Sequence, residues 1–241
     1  MEDFKLNAAK AALDFVEDGM KLGLGTGSTA AHFVNLLGER VKDGLKVTCV
    51  PTSEATREQA EKLGIPLTTL DEVMELDLTV DGADEISEDL CLIKGGGGAL
   101  LREKIVAHNS ARVIIIADES KYVEELGTFP LPVEVVQFGY KATMNFLKEI
   151  AVEAECTGSI KLREKEDGSP FITDGGNYIL DYAFTQISDP YLIEDLFKST
   201  PGVVTTGFFI GMADLAILGK EGGVDVIEWS YDADGELPEG Y

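Results

Sequence analysis

The chain has 241 residues, 44 of them Asp or Glu and 20 Lys or Arg, giving a formal net charge of −24. A duplex or an anionic membrane is held mainly by surplus Lys and Arg, so this balance argues against nucleic-acid and lipid binding. Disorder fails too: 44% of residues are hydrophobic, mean hydropathy is +0.03, and apolar runs recur, enough for one large or two modest domains. Met20 to Gly25 reads as a strand and Ser28 to Leu37 as a helix. Lys46 to Val50 is a strand, Glu54 to Leu63 a helix, Leu76 to Asp81 a strand, Ala99 to His108 a helix, and Arg112 to Ala117 a strand. Repeated βα units with near-continuous Val/Ile/Leu strands predict a parallel sheet covered on both faces.

After Phe129-Pro130-Leu131-Pro132 the rhythm changes. A strand at Val133 to Val136, a helix at Tyr140 to Glu149 and a strand at Ser159 to Arg163 are expected. Strands near Phe171 and at Tyr178 to Tyr182 flank the turn Thr173-Asp174-Gly175-Gly176, followed by a helix at Tyr191 to Phe197 and a strand from Val203. That order resembles a β-α-β-β-α-β sandwich inserted at 131–206. Ala213 to Leu218 and Val224 to Ile227 then rejoin the first sheet, and residues 221–241, with seven acids and no base, are expected to end in a solvated tail from 229. The expected class is therefore α/β: a parallel-sheet domain of residues 1–130 and 207–228, with a smaller α+β domain at 131–206 between.

Cys49, Cys91 and Cys156 are an odd number without CxxC spacing, which speaks against a disulfide framework or zinc site and for core thiols. His32 and His108 have no His or Cys at metal-ligand spacing. Met1-Glu2-Asp3 is acidic where a signal peptide is basic, and the run Val113 to Ala117 is too short for a bilayer, so a cytoplasmic protein is expected. The acidity fits either an ordinary cytosolic protein or adaptation to concentrated salt, and its size favours the second.

Four segments at strand ends, where open α/β sheets bind ligands, carry the chemistry. Gly23-Leu24-Gly25-Thr26-Gly27-Ser28-Thr29 offers helix N–H groups and hydroxyls to a phosphate; a tight turn with a Ser cap is the plainer reading, and a dinucleotide loop would need Gly in place of Ser28. Asp81-Gly82-Ala83-Asp84-Glu85 crowds three carboxylates that need partners such as ligand hydroxyls, a Lys or a metal, although Asp-Gly also makes ordinary turns. Lys94-Gly95-Gly96-Gly97-Gly98 permits close backbone approach to a ligand. In the helix that follows, Glu103 shares a face with Ala99, Leu100, Val106 and Ala107. Burial there raises a carboxyl pKa toward neutrality, as a general base requires, the alternative being a half-exposed Glu paired with a Lys or Arg. Finally, Lys121 in Asp118-Glu119-Ser120-Lys121 is a cation for a phosphate or a plain surface Lys.

In their order and spacing these segments closely resemble the type A family of ribose-5-phosphate isomerases. The likeness runs through Thr52-Ser53, Arg102-Glu103-Lys104 and Pro130-Leu131-Pro132-Val133-Glu134-Val135, then Thr173-Asp174 with Asn177 and Pro201-Gly202-Val203-Val204. It implies a Rossmann-like domain joined to a ferredoxin-like one, in agreement with the division above, and interconversion of ribose 5-phosphate and ribulose 5-phosphate without metal or organic cofactor, in dimers or tetramers. Glu103 then matches the family's base. Substrate contacts match Thr26, Gly27, Ser28 and Thr29, then Asp81, Gly82, Ala83 and Asp84, then Lys94, Gly95, Gly96, Gly97 and Lys121. Chemistry agrees: one carboxylate moves a proton between C2 and C1 through an enediolate, Lys94 steadies the oxyanion, and Asp81 with Asp84 holds sugar hydroxyls and assists ring opening. Lys5 can also reach the phosphate. Two departures are Gly175, where relatives often have Asn, and the acidic extension Trp229 to Tyr241. The rivals are a sugar-phosphate sensor, which has no need of Glu103 on an apolar face, and a CoA transferase or amino-sugar-phosphate deaminase, which should lack the paired Asp81–Glu85 and Lys94–Gly98 motifs.

Overall fold

The computed structural model describes residues 3–184, 187 and 189–228, so the expected tail of 229–241 lies outside the described residues. Five parallel strands form the main sheet: β1 (Lys21–Leu24), β2 (Thr48–Pro51), β3 (Leu78–Asp81), β6 (Val113–Asp118) and β12 (Leu215–Lys220). An antiparallel strand, β13 (Gly223–Glu228), closes one edge, in the order β13-β12-β6-β3-β1-β2. Strands β3 and β12 are buried almost throughout, as central strands covered on both faces must be. Successive strands run to opposite sides of β1, so the order reverses between β1 and β3 and opens a crevice beyond their carboxyl ends.

Helices α2 (Ser28–Lys42), α3 (Glu54–Leu63) and α5 (Leu100–His108), with the single turn α4 (Leu70–Val73), connect these strands. The face predicted for α5 is the one that folds inward: Leu100, Glu103, Val106 and Ala107 are buried. Helix α1 (Phe4–Leu13) was not expected, because its alanines blur the apolar stripe. Asp3 caps it, accepting the Leu6 N–H at 3.3 Å. Ala8, Ala9 and Ala12 are fully buried, and a Cβ on Gly219 would lie 1.7 Å from the Phe4 carbonyl oxygen, so small residues let α1 press against β12.

The second sheet comes from 131–206. Strand β7 (Leu131–Val135), helix α6 (Tyr140–Glu153), strands β8 (Gly158–Leu162) and β9 (Tyr178–Phe184), helix α7 (Pro190–Lys198) and strand β10 (Val203–Thr206) follow one another in the expected β-α-β-β-α-β order. The sheet is antiparallel, ordered β10-β7-β9-β8. Tyr182 and Phe184 stack in its core, 4.1 Å between centroids. Asp189 caps α7 and Pro190 occupies its first turn, where a missing N–H is harmless.

Phe171 is not in a strand. Only one bridge, Glu164 to Pro170, forms there, and a proline cannot extend a ladder. A third, unexpected sheet joins the two larger ones: β4 (Glu85–Ile86) and β5 (Leu92–Ile93) form a hairpin, and β11 (Phe208–Phe209) pairs with β5. No described helix is long and apolar enough to cross a membrane.

Candidate active site

The ends of β1 and β3 meet where Gly25 allows it. A Cβ on Gly25 would stand 2.1 Å from Asp81 Oδ1 and 2.5 Å from its Cα. In that space Asp81 Oδ1 accepts the N–H groups of Thr26 at 3.0 Å and Gly82 at 2.8 Å, binding both loops to one carboxylate. The Thr26 hydroxyl is committed elsewhere: its Oγ1 lies 2.7 Å from Thr52 Oγ1 and 2.8 Å from Ser53 Oγ. Ser53 caps α3 by accepting the Thr56 N–H at 3.1 Å. Thr26 therefore ties the loop to α3 while lining the crevice. The first turn of α2, entered through Gly27 at φ +112°, keeps its N–H groups for the crevice, and Ser28 Oγ accepts from Lys5 Nζ at 2.9 Å.

The glycine run forms the opposite wall. Gly95 (φ +109°) and Gly98 (φ +79°) adopt left-handed backbone conformations. The Gly96 N–H donates to Asp84 Oδ2 at 2.7 Å, and a Cβ on Gly96 would strike Asp84 Oδ1 at the same 2.7 Å. From the second sheet, Arg163 Nη1 donates to the Gly95 carbonyl at 2.7 Å while its Nε holds Asp181 at 2.9 Å. Sequence reasoning missed Arg163 and Asp181, because their proximity depends on the β8–β9 pairing and no local motif marks it.

Beneath the glycines lies a buried charge cluster. Lys94, Asp81 and Glu103 are only 3%, 3% and 4% exposed. Lys94 Nζ is 3.0 Å from Asp81 Oδ2 and 3.5 Å from Glu103 Oε2, and it also donates to the Gly82 carbonyl. Burial opposes the ammonium, but Asp81 and Glu103 outweigh it and lift the Lys94 pKa above the usual lysine value. Burial, reinforced by the Asp81 charge, pushes Glu103 up to about 8 against the pull of Lys94. Glu103 Oε2 has no hydrogen-bond partner among the described residues, an arrangement that leaves a lone pair free for a ligand proton.

A cleft of about 150 Å³ opens over these groups. Glu103, Lys5 and every expected substrate-binding residue line it, with the exception of Asp81. Asp81 has both oxygens engaged, Oδ1 by the Thr26 and Gly82 N–H groups and Oδ2 by Lys94. Lys5, bonded to Ser28, lines the cleft together with Lys121, Thr29, Asp84, Lys94 and Glu103. The three cysteines are buried and unbridged, and burial pushes the Cys49 thiol up to about 12. His32 lies 3.5 Å from Asp3, and His108 ends α5.

The family model described as ribose 5-phosphate isomerase A (phosphoriboisomerase A) matches residues 48–223. The chain belongs to the ribose 5-phosphate isomerase A family. Ribose-5-phosphate isomerase A of Nitrobacter hamburgensis is 58% identical over 228 residues, covering 95% of this chain and 98% of that one. Its counterpart in Rhodopseudomonas palustris is 57% identical over 94% of this chain and 98% of its own. Among solved structures, the Plasmodium falciparum isomerase superposes with a TM-score of 0.90 at 43% identity, covering 96% of this chain and all (100%) of the other. A D-ribose-5-phosphate isomerase in complex with phospho-erythronic acid has a TM-score of 0.88 at 41% identity, covering 93% and 97%. The likeness therefore spans both large sheets and the hairpin between them.

Proposed function

We propose that this chain interconverts D-ribose 5-phosphate and D-ribulose 5-phosphate, with Glu103 as the base. The observation that carries the reading is the buried, unpartnered Glu103 Oε2 beside the Lys94 ammonium at the floor of the cleft. Family membership supports the substrate. The phosphate sits at the first turn of α2, where free N–H groups, Ser28, Lys5 and Lys121 supply positive potential within a chain of net charge −24. Anchored there, the sugar places C1 and C2 over Glu103. Asp84 faces the cleft and takes a sugar hydroxyl; Asp81 acts one layer back, fixing Lys94.

Glu103 takes the proton from C2 of the open-chain aldose as the C2–H electron pair moves into a C1–C2 double bond. The negative charge that develops on the C1 oxygen is met by Lys94 and by glycine N–H groups already fixed in place. The C2 hydroxyl proton passes to the C1 oxygen, and returning the carbon proton from Glu103 to C1 as the C2 oxygen becomes a carbonyl completes the ketose, so atoms and electrons balance without a redox partner. A coupled assay of ribulose 5-phosphate formation in EDTA tests the reading: turnover supports it, and no turnover, or turnover only with added metal, contradicts it.

The proposal includes a division at residues 131 and 206 into two domains, supported by the separate strand sets of the two larger sheets, and a homodimer or homotetramer, supported by the family resemblance. It also includes adaptation to concentrated salt. Self-repulsion at −24 weakens the compact state until counterions screen it. The unfolding temperature is expected to rise by about 10 °C or more between dilute buffer and 2 M KCl, taking about 2–4 °C per kcal/mol for a chain of this size. Equal stability in both would rule the salt adaptation out.

A further inference from the structure

We propose that Phe209 is a positioning residue for the isomerisation, its ring holding the Lys94 ammonium in place beside Glu103. The inference deepens the isomerase reading and rests on it. Lys94 Nζ lies 5.2 Å from the centroid of the Phe209 ring, within the range of cation–π attraction. Both groups are nearly sealed from solvent, Phe209 at 1% and Lys94 at 3% exposure, so water screens the attraction little.

The backbone is built to bring the ring there. Phe209 pairs with Leu92 and Phe208 with Ile93, placing β11 alongside the strand that leads into Lys94. The Lys94 N–H donates to the Gly207 carbonyl at 2.8 Å, and the Gly207 N–H donates to the Pro132 carbonyl at 2.7 Å. A Cβ on Gly207 would come within 2.4 Å of the Lys94 carbonyl oxygen, so the approach depends on glycine. Lys104, the otherwise unused lysine of the Arg102-Glu103-Lys104 motif, puts its own Nζ 5.0 Å from the same centroid. It is anchored there by the Thr206 carbonyl at 3.0 Å and by Glu194 at 3.4 Å.

The consequence for the reaction is mechanical. Asp81 and the Gly82 carbonyl hold the ammonium from the β3 side. Phe209 attracts it from β11, without consuming an N–H in a conventional hydrogen bond. Lys94 keeps donor capacity for the oxyanion while its position is fixed from two strands, as preorganised electrostatic stabilisation requires.

The test replaces Phe209 in the full-length chain by 4-fluoro-, 3,5-difluoro- and 3,4,5-trifluorophenylalanine, which drain the ring's negative face while nearly preserving its shape. The expected result is a stepwise fall in kcat, about tenfold at the trifluoro ring, with KM nearly constant. The Kd for phospho-erythronic acid, measured by calorimetry and needing no turnover, should rise along the same series. The same residues at Phe208, equally buried at 1% and with no cation–ring contact among the described residues, should leave both quantities unchanged. Flat kcat and Kd at position 209, or equal losses at both positions, would overturn the proposal. Failure of the unsubstituted chain to turn over ribose 5-phosphate would instead count against the isomerase reading, with the Kd series still deciding the role of Phe209.

Discussion

Glu103→Gln is expected to lower kcat at least a thousandfold while KM and the fold remain close to those of the parent chain. A positioned general base contributes about 10²–10⁴, and here one carboxylate must both remove and return the proton, so its loss falls at the upper end. The fold survives because Gln is neutral and nearly isosteric with the protonated carboxyl, the form Glu103 holds below about pH 8. Removing only the reacting group leaves phosphate anchoring intact, which is why the loss belongs in kcat. The parent enzyme should show kcat/KM rising with pH to a plateau above about 8, since only ionised Glu103 in the free enzyme can accept a proton. Stability follows the opposite course. The folded chain keeps the Glu103 proton up to about pH 8, whereas the unfolded chain releases it near 4.5. Stability from this group is therefore lost as pH rises through that interval, and Glu103→Gln removes the loss. Equilibrium unfolding at pH 5 and pH 9 measures it: the variant should gain on the parent at pH 9. Near-normal kcat in the variant would end the base assignment.

Lys94→Met should damage both activity and stability. It strands the Asp81 carboxylate, more than nine-tenths buried, without its cation. Breaking a buried pair by removing one partner costs about 3–5 kcal/mol. The missing oxyanion donor should lower kcat by about 10²–10³, and the lost positive charge should move the rise of kcat/KM to higher pH. At pH 9, adding Glu103→Gln to Lys94→Met removes a buried carboxyl that stays protonated at a cost in stability, so the double variant should be more stable there than Lys94→Met alone. That non-additivity, read by denaturant unfolding, distinguishes a shared charge cluster from two independent sites. Additive losses would contradict the cluster.

Glu103 was legible in the sequence because a helical period is a strong rule: a carboxylate at an apolar position must be buried, and it is. The glycine run was legible for a related reason, since Gly96 has no room for a Cβ against Asp84. The hydroxyl network of Thr26 was not legible, because a hydroxyl on a phosphate-type loop has two directions to turn, and only the packing of β2 and α3 sends it toward Thr52 and Ser53. Asp81 illustrates a similar limit. Strand-end placement showed that it needs partners, but not that Lys94 and two N–H groups would take both of its oxygens. Helix α1 and the β4–β5–β11 sheet escaped notice because an alanine-rich helix and two-residue strands carry little periodic signal, and with the latter went the approach of Phe209. The strand expected near Phe171 was lost to Pro170, whose missing N–H local patterning underweighted.

The central claim is that a proton passes between C2 and C1 through Glu103. Its most direct test is conversion of ribose 5-phosphate in D2O, followed by NMR of the ribulose 5-phosphate formed. The account predicts deuterium from solvent at C1 of the product with the parent enzyme, and neither exchange nor product above background with Glu103→Gln. Product formation or exchange that persists undiminished in Glu103→Gln would contradict it.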